Sequence, residues 1–116
     1  MTASELPPNM QEFNEITAVI FGRLYASFPT PMSIRPDAIE HALGFQDLQA
    51  RMPSGRTFNE VLRHTVQWLT SEDFIRSLHP LPLERRVLTA KGMAPMNVVP
   101  PSLSRPLGSE LAEATD

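Results

Sequence analysis

The stretch from residue 56 to residue 93 constrains this chain most, because three kinds of local pattern follow one another in it. Apolar residues recur at three- and four-residue spacing over residues 57–71, which predicts an amphipathic helix. Two short apolar runs follow, at 74–79 and 86–88, and the loop between them contains two prolines. Short runs bounded by proline predict a small β-hairpin. A second helix begins after the hairpin, which gives a helix–strand–strand–helix order.

The helix predicted over residues 57–71 carries the clearest local signal. Thr57 and Glu60 match a capping box, in which each side chain satisfies a free backbone N–H group at the start of a helix. The stripe predicted to be buried consists of Phe58, Val61, Leu62, Thr65 and Leu69. The residues predicted to face outward are Asn59, Glu60, Arg63, His64 and Gln67.

The first half of the chain predicts two further helices. The first runs from about residue 9 to residue 27 and is ended by two prolines, and residues 32–34 can form a short extended piece after it. The second starts with Pro36 at its first position and stops at Gly44. Its residues predicted to point inward are Ile39, Ala42 and Leu43. In the hairpin, the pattern leaves open whether the face of Phe74 or that of Ile75 is buried.

Length and composition predict one domain in an intracellular, cytoplasmic protein. A chain of 116 residues has material for one core, which we assign to residues 10–98. Residues 1–9 are expected to form a flexible arm, and residues 99–116 a disordered tail. No cysteine is present, the N-terminus lacks the pattern of a signal peptide, and Arg23 interrupts the most apolar run. No membrane-spanning segment is therefore expected.

The distribution of charge along the chain is uneven. The formal net charge is −3, which argues mildly against nucleic acid as a partner. Residues 51–91, however, contain seven arginine and lysine residues against four aspartate and glutamate residues. The positive charge thus collects on the segment of the helix and the hairpin, where weak and salt-dependent binding to DNA is expected.

Three short motifs carry a resemblance to a known family. They are Thr65 with Trp68-Leu69 near the helix end, Asp73-Phe74-Ile75 before the first strand, and Leu88-Thr89-Ala90-Lys91-Gly92 after the second. In the last motif the leucine ends a core-facing strand, the threonine caps the next helix, and the glycine lets that helix approach the sheet. Over residues 12–98 the chain resembles the winged helix-turn-helix superfamily of bacterial and phage regulators, broadly the MarR and PadR families.

The resemblance implies a mainly α-helical fold with a small β-hairpin, and a DNA-binding regulator, with a homodimer as one expected form. The helix at 57–71 would read the major groove, whose base edges suit Arg, Asn and Gln, and the wing at 74–88 would contact the DNA backbone. The implied DNA-binding residues of the helix are Arg56, Asn59, Arg63, His64 and Gln67. Those of the wing are Arg85 and Arg86. Trp68 is expected to pack in the core or at its edge.

A protein-interaction module on the same fold is the alternative. It is favoured by the acidic total, by the long loop at 44–55 and by three leucines of the tail, Leu103, Leu107 and Leu111. Its contact surface would include an acidic patch of Glu12, Glu15, Asp37 and Glu40.

Enzymatic activity is not expected from this sequence. No motif typical of a nucleophile, a phosphate-binding loop or a zinc protease is present. His41, His64 and His79 lie on separate predicted elements without the spacing of metal ligands, so we predict no metal site. We likewise predict no cofactor.

Overall fold

The computed structural model describes residues 6–44, 50–81 and 83–96, which fold into a mainly helical unit with a small sheet. The helices are α1 (Pro8–Ser27), α2 (Pro36–Leu43), α3 (Phe58–Ser71) and α4 (Ala90–Met93), the last followed by a 3₁₀ turn at Ala94–Met96. The strands are β1 (Ile75–Ser77) and β2 (Arg86–Leu88). The predicted mixture of helices and one small hairpin is confirmed. The predicted disordered tail at 99–116, and residues 1–5 of the predicted arm, lie outside the described residues.

Proline and glycine set the ends of the first two helices. Pro8 stands at the start of α1, and Pro36 at the start of α2, where the missing N–H group of proline costs no hydrogen bond. Gly44 ends α2 with a left-handed φ of +83°, and its N–H donates to the carbonyls of the last turn. Leu43 packs against the core as predicted, but Ala42 is exposed. The prediction for Ala42 was wrong, because an eight-residue helix has only a narrow face against α1 and α3, centred on the buried Ile39.

The two strands pair in antiparallel register. Ile75 lies opposite Leu88, and both side chains are buried, whereas Phe74 is only half-buried. The sequence left open which face of β1 is buried, and the structure shows that it is the face of Ile75. The extended piece predicted at 32–34 lies beside β2, because Met32 and Arg86 exchange both of their backbone hydrogen bonds. A short third segment thus extends the sheet at β2.

The core lies between α1, α3 and the hairpin, with α2 and α4 closing its sides. All five residues of the predicted α3 stripe are buried, and Val66 is fully buried as well. The stripe is wider than predicted because α3 packs against three elements at once: α1, α2 and β1. The fully buried side chains of the core include Ile16, Ile20, Leu24, Ile39, Phe58, Leu62, Leu69 and Met93.

The motif from Leu88 to Gly92 has the local structure that its residues predict. The hydroxyl of Thr89 accepts a hydrogen bond from the N–H of Gly92 at 3.1 Å, which caps α4. A Cβ atom at Gly92 would lie 2.1 Å from the carbonyl oxygen of Phe74. Glycine is therefore required for the close approach of α4 to the hairpin.

Candidate nucleic-acid interface

Helix α3 presents a polar face to solvent along its whole length. The hydroxyl of Thr57 accepts a hydrogen bond from the N–H of Glu60 at 3.3 Å, so the first turn is capped as predicted. Arg63 and Gln67 are exposed and Asn59 is partly exposed, on the side opposite the buried stripe. These three side chains have no hydrogen-bond or ion-pair partner among the described residues, so their polar groups are free to meet a ligand.

The loop of the hairpin lies beside this face. Asn59 and Arg63 of α3 line a shallow depression of about 220 Å³ together with Leu81, Leu83 and Glu84 of the loop. Helix and hairpin loop therefore form one continuous surface, which we call the α3–hairpin surface. Five residues line its depression: Asn59, Arg63, Leu81, Leu83 and Glu84. We include in it three exposed residues of the same helix and hairpin that do not line the depression, Gln67, Arg76 and Arg85.

Arg56 and His64 lie on the other flank of α3. Both line a larger depression of about 410 Å³, the α1–α3 groove, whose apolar wall is formed by Met10, Phe13, Val61 and Trp68. The five residues predicted on the helix are thus divided: Asn59 and Arg63 border the hairpin, Arg56 and His64 border α1, and Gln67 is exposed.

Arg86 is not available for the phosphate contact that was predicted. Its side chain is 4% exposed, and its guanidinium donates to the carbonyl oxygens of Glu84 at 3.2 Å and Leu81 at 3.3 Å. Desolvation by burial lowers the pKa of the Arg86 guanidinium below its ordinary value. The prediction was wrong because side chains alternate along a strand, and Arg86 shares the inward face of β2 with Leu88. Arg86 holds the hairpin loop in place from inside.

Two neighbouring arginines are exposed on the hairpin. Arg85 precedes β2 in a left-handed conformation with a φ of +46°, and it lies at the surface as predicted. Arg76 was not singled out from the sequence, although it follows the buried Ile75 in β1 and alternation therefore places it outward. Neither side chain has an ion-pair or hydrogen-bond partner among the residues that the structure describes. The one ion pair found there joins Arg35 to Asp37, at 3.3 Å.

The acidic groups of the same surface are already engaged. The Glu60 carboxylate lies 3.2 Å from the Thr57 hydroxyl, at the start of the helix. The Glu84 carboxylate accepts a hydrogen bond from the hydroxyl of Ser33. The charge of Glu60 thus lies at the start of α3, whereas that of Glu84 lies in the depression that Asn59 and Arg63 also line.

The acidic patch of the alternative prediction does not form as one exposed surface. Glu12 is 4% exposed, and its carboxylate accepts hydrogen bonds from the N–H of Ser54 at 2.8 Å and the Ser54 hydroxyl at 2.6 Å. Asp37 is occupied by its ion pair with Arg35. The prediction for Glu12 was wrong because the loop at 53–55 folds back onto α1, a contact between residues far apart in the sequence.

Neither a metal cluster nor a membrane span is found in the described part of the chain. No group of three or more histidine, aspartate or glutamate side chains there could hold a metal ion. None of the described helices combines the length and the apolar character needed to cross a bilayer. No family model matches this chain, and no curated protein and no solved structure matches it.

Proposed function

We propose that this protein is a winged-helix protein that binds duplex DNA, with α3 as its recognition helix and the hairpin as its wing. The order of the elements supports this: a helix, a short segment beside the sheet, two helices and then the hairpin. With 14 residues, α3 is about 21 Å long. An α-helix with its side chains is about 10–12 Å across, which matches the major groove of about 12 Å in width.

The observation that carries the proposal is the set of unpartnered cationic and amide side chains on the α3–hairpin surface. Arg63, Asn59 and Gln67 have the chemistry that reads base edges in the major groove. Arg76 and Arg85 have the charge and the fork-shaped donor pattern that suit phosphate oxygens. In the proposed complex, α3 supplies sequence preference and the hairpin supplies affinity that is independent of sequence.

The alternative function is a protein-interaction module that has no affinity for DNA. The observation in its favour is the α1–α3 groove, where Met10 is 44% and Trp68 is 47% exposed. The loss of Glu12 from the acidic patch removes one of its sequence arguments. We therefore place the DNA-binding function first.

The experiment that tests the proposal separates base contacts from phosphate contacts. Binding sites are selected from a random duplex pool, and affinities for the selected and for unselected duplexes are then measured with Arg63→Ala, Arg76→Ala and Arg85→Ala variants. Arg63→Ala is expected to weaken binding to the selected site by roughly ten- to hundred-fold, which corresponds to 1–3 kcal/mol for a specific contact. Arg76→Ala and Arg85→Ala are expected to weaken binding to all duplexes about equally.

The matched control is Arg23→Ala, which removes an exposed arginine of α1. Arg23 lines neither the depression between α3 and the hairpin loop nor the α1–α3 groove. The affinity of this variant should equal that of the unchanged protein. Full affinity in all three test variants contradicts the proposed binding surface. No binding of the unchanged protein to any duplex, even at low salt, leaves the interaction module as the better account.

A further inference from the structure

The α1–α3 groove is an apolar surface with a fixed wall. The Trp68 ring stacks on Phe74, with 5.8 Å between centroids, and meets Phe13 edge to face at 5.3 Å. These contacts hold the indole in one position while almost half of its surface stays exposed. Apolar side chains so arranged at a groove are typical of a docking surface, since a covering segment would remove them from water.

The charge at the groove indicates what kind of segment fits it. Arg56 and His64 border the groove, and none of the described residues that line it is acidic. A segment that combines apolar side chains with carboxylates would therefore bury the apolar wall and place its carboxylates beside the basic residues that border the groove.

Helix α4, near the end of the described chain, is linked to the groove through Phe74. Lys91 of α4 places its Nζ atom 4.7 Å from the centre of the Phe74 ring, and Phe74 in turn stacks on Trp68. The last described residue, Met96, follows Lys91 after little more than one helical turn. Six residues, 97–102, separate Met96 from Leu103, and they span roughly 20 Å if extended. The segment that begins at Leu103 can therefore reach surfaces of the fold within about that distance of Met96.

The same residues have the composition that the groove requires. Leu103, Leu107 and Leu111 recur at intervals of four residues. Three carboxylates, those of Glu110, Glu113 and Asp116, stand against the single Arg105.

We propose that the C-terminal segment of this chain, residues 103–111, docks in its own α1–α3 groove. The leucines would cover Met10, Phe13 and Trp68, and the carboxylates from Glu110 to the end of the sequence would lie near Arg56 and His64. We favour the tail of the same chain over a separate partner, because a short tether gives the tail an effective concentration at the groove in the millimolar range. The inference rests on the groove and the tail, and it stands independently of the proposed binding of DNA.

The test uses Trp68, the one tryptophan of the sequence, as its probe. Quenching of its fluorescence by acrylamide is measured in the full chain and in a variant that carries Leu103→Asp, Leu107→Asp and Leu111→Asp together. A covered indole is shielded from the quencher, so the quenching constant is expected to rise by roughly two-fold or more in the leucine variant if the tether keeps most grooves occupied. The emission maximum should move to longer wavelength at the same time.

The matched control carries Ser102→Asp, Ser104→Asp and Ser109→Asp, which add the same charge to the same segment but keep all three leucines. Its quenching should equal that of the unchanged chain. Met10→Glu alters the groove itself at an exposed position, and it is expected to raise quenching as the leucine variant does. Equal far-ultraviolet circular dichroism in all variants verifies that the fold is kept.

Equal quenching in the unchanged chain and in the leucine variant overturns the proposal, because the groove is then uncovered in both. A rise in the serine variant that matches the leucine variant also overturns it, since charge and not leucine burial would be responsible. Protection that depends on protein concentration and accompanies a dimeric mass overturns it in favour of a second copy of the chain.

Discussion

At the residue scale, two adjacent arginines with the same chemistry have different environments. Arg86 is buried and donates to carbonyls of the hairpin loop, whereas Arg85 is exposed and has no hydrogen-bond partner among the described residues. Arg86→Ala removes these hydrogen bonds and leaves a space inside the loop. We expect it to lower the free energy of unfolding by about 1–3 kcal/mol. Arg85→Ala, at the surface, should change it by no more than about 0.5 kcal/mol.

Urea unfolding, followed by the fluorescence of Trp68, measures both variants. Because they lie side by side and lose the same side chain, each serves as the control of the other. Equal stability of the two variants would mean that Arg86 does not hold the hairpin loop.

Glu12 gives a second prediction at the residue scale. Its carboxylate accepts two hydrogen bonds from Ser54, which join α1 to the loop before α3. Glu12→Gln and Ser54→Ala should each destabilise the protein, and the double variant should cost less than the sum of the two. We expect a coupling energy of about 1–2 kcal/mol, since the acceptor is charged and largely buried. A double-mutant cycle of urea unfolding measures it, and strict additivity would show that the hydrogen bond from the Ser54 hydroxyl carries no stability.

At the scale of elements, the docking of α4 on the hairpin depends on the absence of one side chain. A Cβ atom at Gly92 would meet the backbone oxygen of Phe74, which cannot move away as a flexible side chain could. Gly92→Ala is therefore expected to destabilise the protein by about 1–3 kcal/mol through overpacking. The matched control is Gly22→Ala within α1, where a Cβ atom would meet nothing within 4 Å.

Gly22→Ala should raise stability by about 0.5–1 kcal/mol, because alanine restricts the unfolded chain and favours a helix. The two substitutions add the same methyl group. A gain in stability at Gly22 and a loss at Gly92, measured by thermal or urea unfolding, would therefore isolate the effect of the close approach. A loss at Gly22 as large as that at Gly92 would contradict this explanation.

Features of these elements that depend on residues close in the sequence were predicted, whereas features that depend on distant residues were not. Capping and turn residues act within a few positions of one another, and they predict α3, the end of α2 and the cap of α4. The burial of Arg86 follows from its neighbour Leu88 once the register of β2 is known, but a three-residue strand gives too short a pattern to fix that register. The burial of Glu12 depends on Ser54, a partner 42 residues away.

At the scale of the whole molecule, the candidate site was predicted only in part. The outward position of Arg63, Gln67 and Arg85 follows from helix periodicity and from the loop. The division of the predicted residues between two depressions does not, because it depends on where α1 and the hairpin loop pack against α3. Tertiary packing therefore decided which residues share a surface.

The α3–hairpin surface is proposed to bind duplex DNA through its unpartnered arginines. The most direct measurement is the affinity for a labelled random duplex over a series of salt concentrations, for the unchanged protein and for a variant with Arg63, Arg76 and Arg85 all replaced by alanine. We expect the unchanged protein to bind with a slope of log affinity against log salt of roughly −3, and the triple variant to lose most of both affinity and slope. Equal affinity and equal slope in the two proteins, with Arg23→Ala unchanged as well, would contradict the account.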